Sequence, residues 1–238
     1  MKQFNGKQIL LIIFAVITLN MLCSESPTPP QEQPPGPPQL IGLSLLTFRL
    51  PANTPTEVIN TSNEGLADLS FALQMFSRAG GKAPLGQHPD WEWKTDSFPY
   101  ELIVKAKRLN TETVAWELRM DGGENSGSIV LNNWLAADGT TQNDGTSGAL
   151  KIYQTATTRI DAEASWTLDD QNVNTIHSET NGKRFDYTGN PDASGNFSVH
   201  TTSGQKLFEA NWDTSGAGAW AAYDAATGQQ TGSGTWSS

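Results

Sequence analysis

From Tyr100 onward the chain alternates apolar and polar residues with a period of two. In Tyr100-Glu101-Leu102-Ile103-Val104-Lys105-Ala106-Lys107, the Tyr, Leu, Val and Ala share one face, and Glu101, Lys105 and Lys107 share the other. Val114, Trp116, Leu118 and Met120 repeat the scheme against Glu117 and Arg119. So do Ala164, Trp166 and Leu168, then Phe185 and Tyr187, Phe197 and Val199, and Phe208, Ala210 and Trp212. One buried and one wet face predicts antiparallel strands. Asp121-Gly122, Asp138-Gly139, Asp144-Gly145, Asn181-Gly182, Ser194-Gly195, Ser203-Gly204, Ser215-Gly216 and Thr227-Gly228 punctuate them as hairpin turns. The intervals leave no room for crossover helices. The pattern predicts an up-and-down meander of roughly ten to twelve strands. It closes into a barrel or forms a strongly twisted sheet.

Upstream the period is 3.6. Leu66, Leu69, Leu73 and Phe76 recur at spacings of three and four. Thr61-Ser62-Asn63 offers a cap before them, and Gly80-Gly81 a stop after. An amphipathic helix from about Ser62 to Ala79 is expected, packed on the sheet. Leu40 to Leu50 is ambiguous between helix and strand, and Pro51 and Pro55 end it. The fold is thus mainly β, with a helix-containing segment at 40–99 and a meander domain at 100–238.

The N-terminus follows neither period. Lys2 and Lys7 precede fourteen mostly apolar residues, Ile9 to Leu22. At ~1.5 Å per residue such a run spans ~21 Å, short of a ~30 Å hydrocarbon core. It has the character of a secretory signal, residues 1–22. The one cysteine, Cys23, comes directly after it. Leu19-Asn20-Met21-Leu22-Cys23 resembles a bacterial lipoprotein signal, over about a tenth of the chain. The resemblance implies cleavage before Cys23, acylation of that residue and attachment to a membrane through lipid. It places the chain in the bacterial envelope, at the outer membrane or cell surface. Ser26 to Pro38 is rich in proline and favours an extended polyproline II spacer reaching ~40 Å, so residues 23–39 are expected to form the tether. Ordinary secretion with cleavage after Ser24 is the alternative.

Composition narrows the partners. The chain has 238 residues, 15 basic against 25 acidic, and a net charge of -10. Loss of the signal would remove two lysines and make it more acidic. Such a surface repels phosphate backbones, which excludes nucleic acid as a partner. A single cysteine excludes a disulfide framework within the chain.

Candidate chemistry is sparse. His88, Asp90, Trp91 and Trp93 form the densest cluster of aromatic and ionisable groups. Exposed, they suit contact with a sugar or a protein partner; alternatively the tryptophans seal the edge of the core. In a closed barrel, Trp116, Trp166, Phe185, Phe197, Phe208 and Trp212 would line the interior and suit an apolar ligand. Asn190 to Gly195 imitates the start of a calcium loop, but Thr201 stands where the bidentate Glu belongs. Gly216 to Ala221 imitates a dinucleotide fingerprint without room for its βαβ unit. His88, His177 and His200 lack helix-ligand spacing. No nucleophile–base pair is legible, and no cofactor or metal is implied. The expectation is a non-catalytic binding or structural role toward an unknown envelope protein or glycan. A barrel-type carrier and a secreted soluble β protein remain alternatives.

Overall fold

The computed structural model describes residues 36–38, 49–79, 83–97, 99–123, 129–171 and 173–238. The signal segment, Cys23 and most of the proline-rich spacer lie outside the described residues. Residues 36–238 form one unit, whose described residues build one helix and one sheet. The helix, α1, is Thr56–Ala79. The strands are β1 Leu85–Gln87, β2 Asp90–Ser97, β3 Tyr100–Arg108, β4 Thr113–Gly122, β5 Leu131–Gln142, β6 Ser147–Tyr153 and β7 Ile160–Leu168. They continue as β8 Asn174–Thr180, β9 Lys183–Gly189, β10 Gly195–Thr201, β11 Lys206–Trp212, β12 Gly218–Tyr223 and β13 Gln230–Trp236.

Every neighbouring pair is antiparallel, and the order across the sheet is the order in the chain. The meander is therefore as expected, with thirteen strands. The sheet is open: β1 pairs only β2, β13 pairs only β12, and no barrel closes. A first strand of three residues offers little ladder to receive β13. The sheet also begins before Tyr100. Trp91 and Trp93 sit in β2, which pairs β3 from Asp90↔Lys107 to Ser97↔Tyr100.

The helix starts six residues earlier than its sequence cap suggested. The amide and hydroxyl of Thr54 both donate to the Pro51 carbonyl, at 3.2 and 2.7 Å, closing a tight turn. The Pro55 carbonyl then accepts from Ile59 at 3.1 Å, the first helical bond. Proline suits a helix start, where its missing N–H costs nothing. Pro55 thus opens a helix as well as ending the preceding segment. The supposed cap residues are interior: the Thr61 hydroxyl donates back to the Glu57 carbonyl at 2.8 Å, and Ser62 is buried.

The helix lies across the strands on one face of the sheet. Near its start, the buried Tyr187 hydroxyl on β9 donates to the Ser62 carbonyl at 2.8 Å. Near its end, the Phe76 ring meets Trp116 on β4 edge-on, centroids 6.1 Å apart. Fourteen helical residues cover about 21 Å. Five strand spacings cover about 24 Å. The agreement means the helix axis runs nearly perpendicular to the strands. Lys183–Glu64 at 2.7 Å and Thr180–Asp68 at 3.0 Å pin its flank to β8 and β9.

Beyond β9 much of the inner face is covered by its own side chains. Phe185, Tyr187, Phe197, Phe208 and Trp220 stack in succession, with centroids 5.4 to 6.5 Å apart. Tryptophans alternate with glycines across paired strands: Gly148↔Trp166, Gly195↔Trp212, Gly218↔Trp236 and Trp220↔Gly234. A Cβ on Gly218 would sit 2.2 Å from the Trp236 ring. Three of these indoles donate to a carbonyl in the turn before the glycine-bearing strand: Trp166 to Gly145, Trp212 to Ala193 and Trp236 to Gly216, at 2.8 to 3.1 Å. Each of those turns carries an Asp whose carboxylate accepts the amide and hydroxyl two residues on, Asp144–Thr146, Asp192–Ser194 and Asp213–Ser215. Those hydrogen bonds hold all three carboxyls below the usual range. This turn-plus-tryptophan unit recurs three times along the sheet. Asp138-Gly139 is not a turn. It lies within β5, where a Cβ on Gly139 would come 2.0 Å from the Ala149 carbonyl oxygen of β6. Asp121-Gly122 likewise belongs to the end of β4.

Gly65 marks where helix and sheet come closest. A Cβ there would stand 2.3 Å from the Phe185 ring and from the Tyr187 hydroxyl. Both rings are fully buried and stacked, so neither can swing away. Alanine would gain about 1 kcal/mol of helix propensity but meet about 1–3 kcal/mol of overpacking. Gly65→Ala is therefore expected to lower stability by up to about 2 kcal/mol in urea unfolding. A stabilised variant would show that the helix can lift off these rings.

Candidate functional site

The faces of the sheet divide its chemistry. Trp91 and Trp93 face the core, 5% and 4% exposed, while His88 and Asp90 are exposed at the β1–β2 turn. The His88 ring meets Trp91 edge-on at 5.8 Å. The cluster is thus split, and its indoles are not open to a sugar. Trp116, Trp166, Phe185, Phe197, Phe208 and Trp212 are likewise buried, at most 6% exposed. They fill a core and do not line an interior.

Among the described residues, nothing covers the opposite face. Its side chains fall into rows that only strand register reveals. One row is ionisable across ten strands: Glu92↔Lys105↔Glu117↔Asp138↔Lys151↔Glu163↔Glu179↔Arg184↔His200↔Lys206. The adjoining row is small in its middle: Ala115↔Thr140↔Ala149↔Ser165, then His177↔Asp186↔Ser198↔Glu209. Where small residues run beside long ones, a groove of about 600 Å3 opens on β4 to β8. Ala115, Thr140, Ala149 and Ser165 floor it; Glu117, Asp138, Lys151, Glu163, His177 and Glu179 surround it. The Tyr153 hydroxyl donates to Asp138 at 3.2 Å. Burial and Asp138 raise the pKa of that phenol, so it stays a donor at neutral pH. The rim holds four carboxylates against one lysine and one histidine. Its chemistry suits hydrogen-bond donors, polyols and cationic groups, and opposes phosphate.

Two polar networks continue the face toward β12. His177 Nδ1 lies 2.6 Å from Asp186 Oδ1, and Arg184 Nε donates to Asp186 Oδ2 at 3.0 Å. His200 Nδ1 stands 3.6 Å from the same carboxylate, too far for a hydrogen bond. The residue types of a nucleophilic triad, Ser165, His177 and Asp186, therefore stand side by side. No hydrogen bond joins Ser165 to His177, and the imidazole meets Asp186 on an exposed surface. Among the described residues, no group of three or more His, Cys, Asp or Glu is arranged to hold a metal ion. No described helix is long and apolar enough to cross a membrane. In the second network, Lys206 donates to Glu209 Oε2 at 2.7 Å, and the Tyr223 hydroxyl donates to Glu209 Oε1.

Alternation showed which residues would be wet, but not which would be neighbours. The groove was missed for that reason: its walls come from five strands. No protein-family model and no curated protein matches the chain.

The hydrogen bond from Lys206, then that from Tyr223, holds the Glu209 carboxyl below its ordinary value of 4.5. The unfolded chain loses both. Their stabilisation is complete above that value and fades as pH falls through the lower, folded one. With both side chains over a third exposed, the effect is under about 1 kcal/mol. Glu209→Gln is expected to lower the Tm at pH 7 and to show a smaller deficit at pH 3, measured by thermal melts. An equal deficit at both pH values would assign the loss to packing.

Proposed function

We propose that the chain is an exported bacterial envelope lipoprotein, acylated on Cys23, that acts as a non-catalytic binding or structural module. What supports this is the division of labour between the faces. The apolar face is filled by α1 and its own aromatic stack, and the polar face is left open. A carrier needs an unfilled apolar interior. The six aromatics that would line one are packed into the core. One surface open to a partner is the groove on β4 to β8, whose carboxylate and hydroxyl rim suits a glycan or a basic protein surface. The tether is read from the sequence: a basic start, an apolar run, Cys23, then the proline-rich spacer. Two acyl chains would hold the sheet near the bilayer, and the spacer would lift it clear of the headgroups.

Metabolic labelling with a fatty acid tests the anchor. The native chain is expected to take up label and to fractionate with membranes, and Cys23→Ser to lose both. Equal label in the two chains would remove the anchor and favour ordinary secretion.

A further inference from the structure

Sheet edges expose unpaired backbone donors and acceptors, and proteins blunt them with charge, proline or brevity. The two edges here are unlike. β1 has three residues, carries Gly86 at φ 91°, and runs at once into His88-Pro89 and the charged Asp90. It is a blunted edge. β13 has seven residues, Gln-Thr-Gly-Ser-Gly-Thr-Trp, with no proline and no charged side chain. Its neighbour β12, Gly-Ala-Trp-Ala-Ala-Tyr, has no charged side chain either. In a chain of net charge -10, this is a surface where two copies can meet without like charges opposed. Trp220, Ala222 and Trp236 are only half-buried there, so the apolar face stops before it is sealed.

From these features we infer that β13 is a self-association edge: two copies of the chain join β13 to β13 antiparallel about a two-fold axis through Ser233. The strand is suited to that register. Ser233 meets Ser233 of the second copy and Gly232 meets Gly234, a regular stretch that ends at the bulge where Thr231 stands between the partners of Ala222 and Tyr223. These central pairs are small and uncharged, so the two backbones can approach without a clash of side chains. An axis perpendicular to the sheet keeps the apolar faces on one side, so each Trp236 gains cover. The arrangement uses β13 on both copies, and the blunted β1 offers no further template. Assembly therefore stops at two.

The test uses the full chain, purified in mild detergent. Its light-scattering mass is expected to be that of two copies. Ser233→Lys places two ammonium groups across the axis at an exposed position, and is expected to give one copy with unchanged circular dichroism. In a Cys23→Ser background, Ser233→Cys supplies the only thiol and faces its own copy. Thr231→Cys lies four residues out of register, about 13 Å from its copy. That is beyond the ~7 Å limit for a disulfide. Under a mild oxidant, disulfide-linked dimer is expected to form at least roughly ten-fold faster for Ser233→Cys than for Thr231→Cys. A single-copy mass for the native chain, equal cross-linking of the two variants, or a dimer that survives Ser233→Lys would each overturn the inference.

Discussion

One helix has to serve a sheet far wider than itself. A helix of 24 residues is about 36 Å long, whereas thirteen strands span about 58 Å from first to last. The helix therefore shields β2 to β9, and beyond it the described cover comes from the segment before the helix, with Leu50 on the core and Pro51 beside Gly216, and from side chains covering each other. The stack from Phe185 to Trp220 and the pairing of tryptophan with glycine are the response to that shortage. A glycine leaves the space a neighbouring indole needs, and the indole shields the backbone that the glycine bares. Each tryptophan that also bonds a turn carbonyl fixes the end of a hairpin, so the apolar cover and the strand register are set by the same residue.

Much of this was legible in the chain. A period of two survives burial because each strand presents one face to the core, so Val114, Trp116 and Leu118 identify their side without any tertiary knowledge. Turn residues at Asn181-Gly182 and Ser203-Gly204 are legible because their glycines adopt positive φ, 73° and 88°, as tight turns require. What failed did so where one residue type serves two purposes. Gly139 accommodates a neighbouring carbonyl within a strand and only looks like a turn. Pro55 ends one segment while opening another. Trp91 and Trp93 carry acidic neighbours that suggested a surface, yet alternation sends the indoles inward and the acids outward. Closure was not legible at all, because it depends on the lengths of the first and last strands.

The polar face escaped the sequence for a different reason. Its rows join residues tens of positions apart, such as Glu117, Asp138, Lys151 and Glu163, and only the register brings them together. A bulge or a longer hairpin would have scattered them. The register shift between Leu118 and Arg119 does so locally, with Ala136 and Ala137 buried in succession on β5. Away from that bulge the face is ordered enough to form a groove beside a continuous line of charge. Rows built one strand at a time give a surface whose chemistry changes gradually from one end to the other.

That gradient gives the two ends of the sheet different physical characters. From β2 to β11 the uncovered face has an ionisable residue in every strand, hydrated and mutually repulsive between copies at an overall charge of -10. At β12 and β13 the charged row stops, and the outward residues become Ala219, Ala221, Ser233 and Thr235. The apolar face changes at the same place, from rings that are fully buried to Trp220 and Trp236, which are not. A loss of charge on one face and of cover on the other, at the same two strands, lowers the cost of bringing another surface to that end alone. The same antiparallel ladder thus presents a hydrated, groove-bearing surface along most of its width and an adhesive margin at its last hairpin.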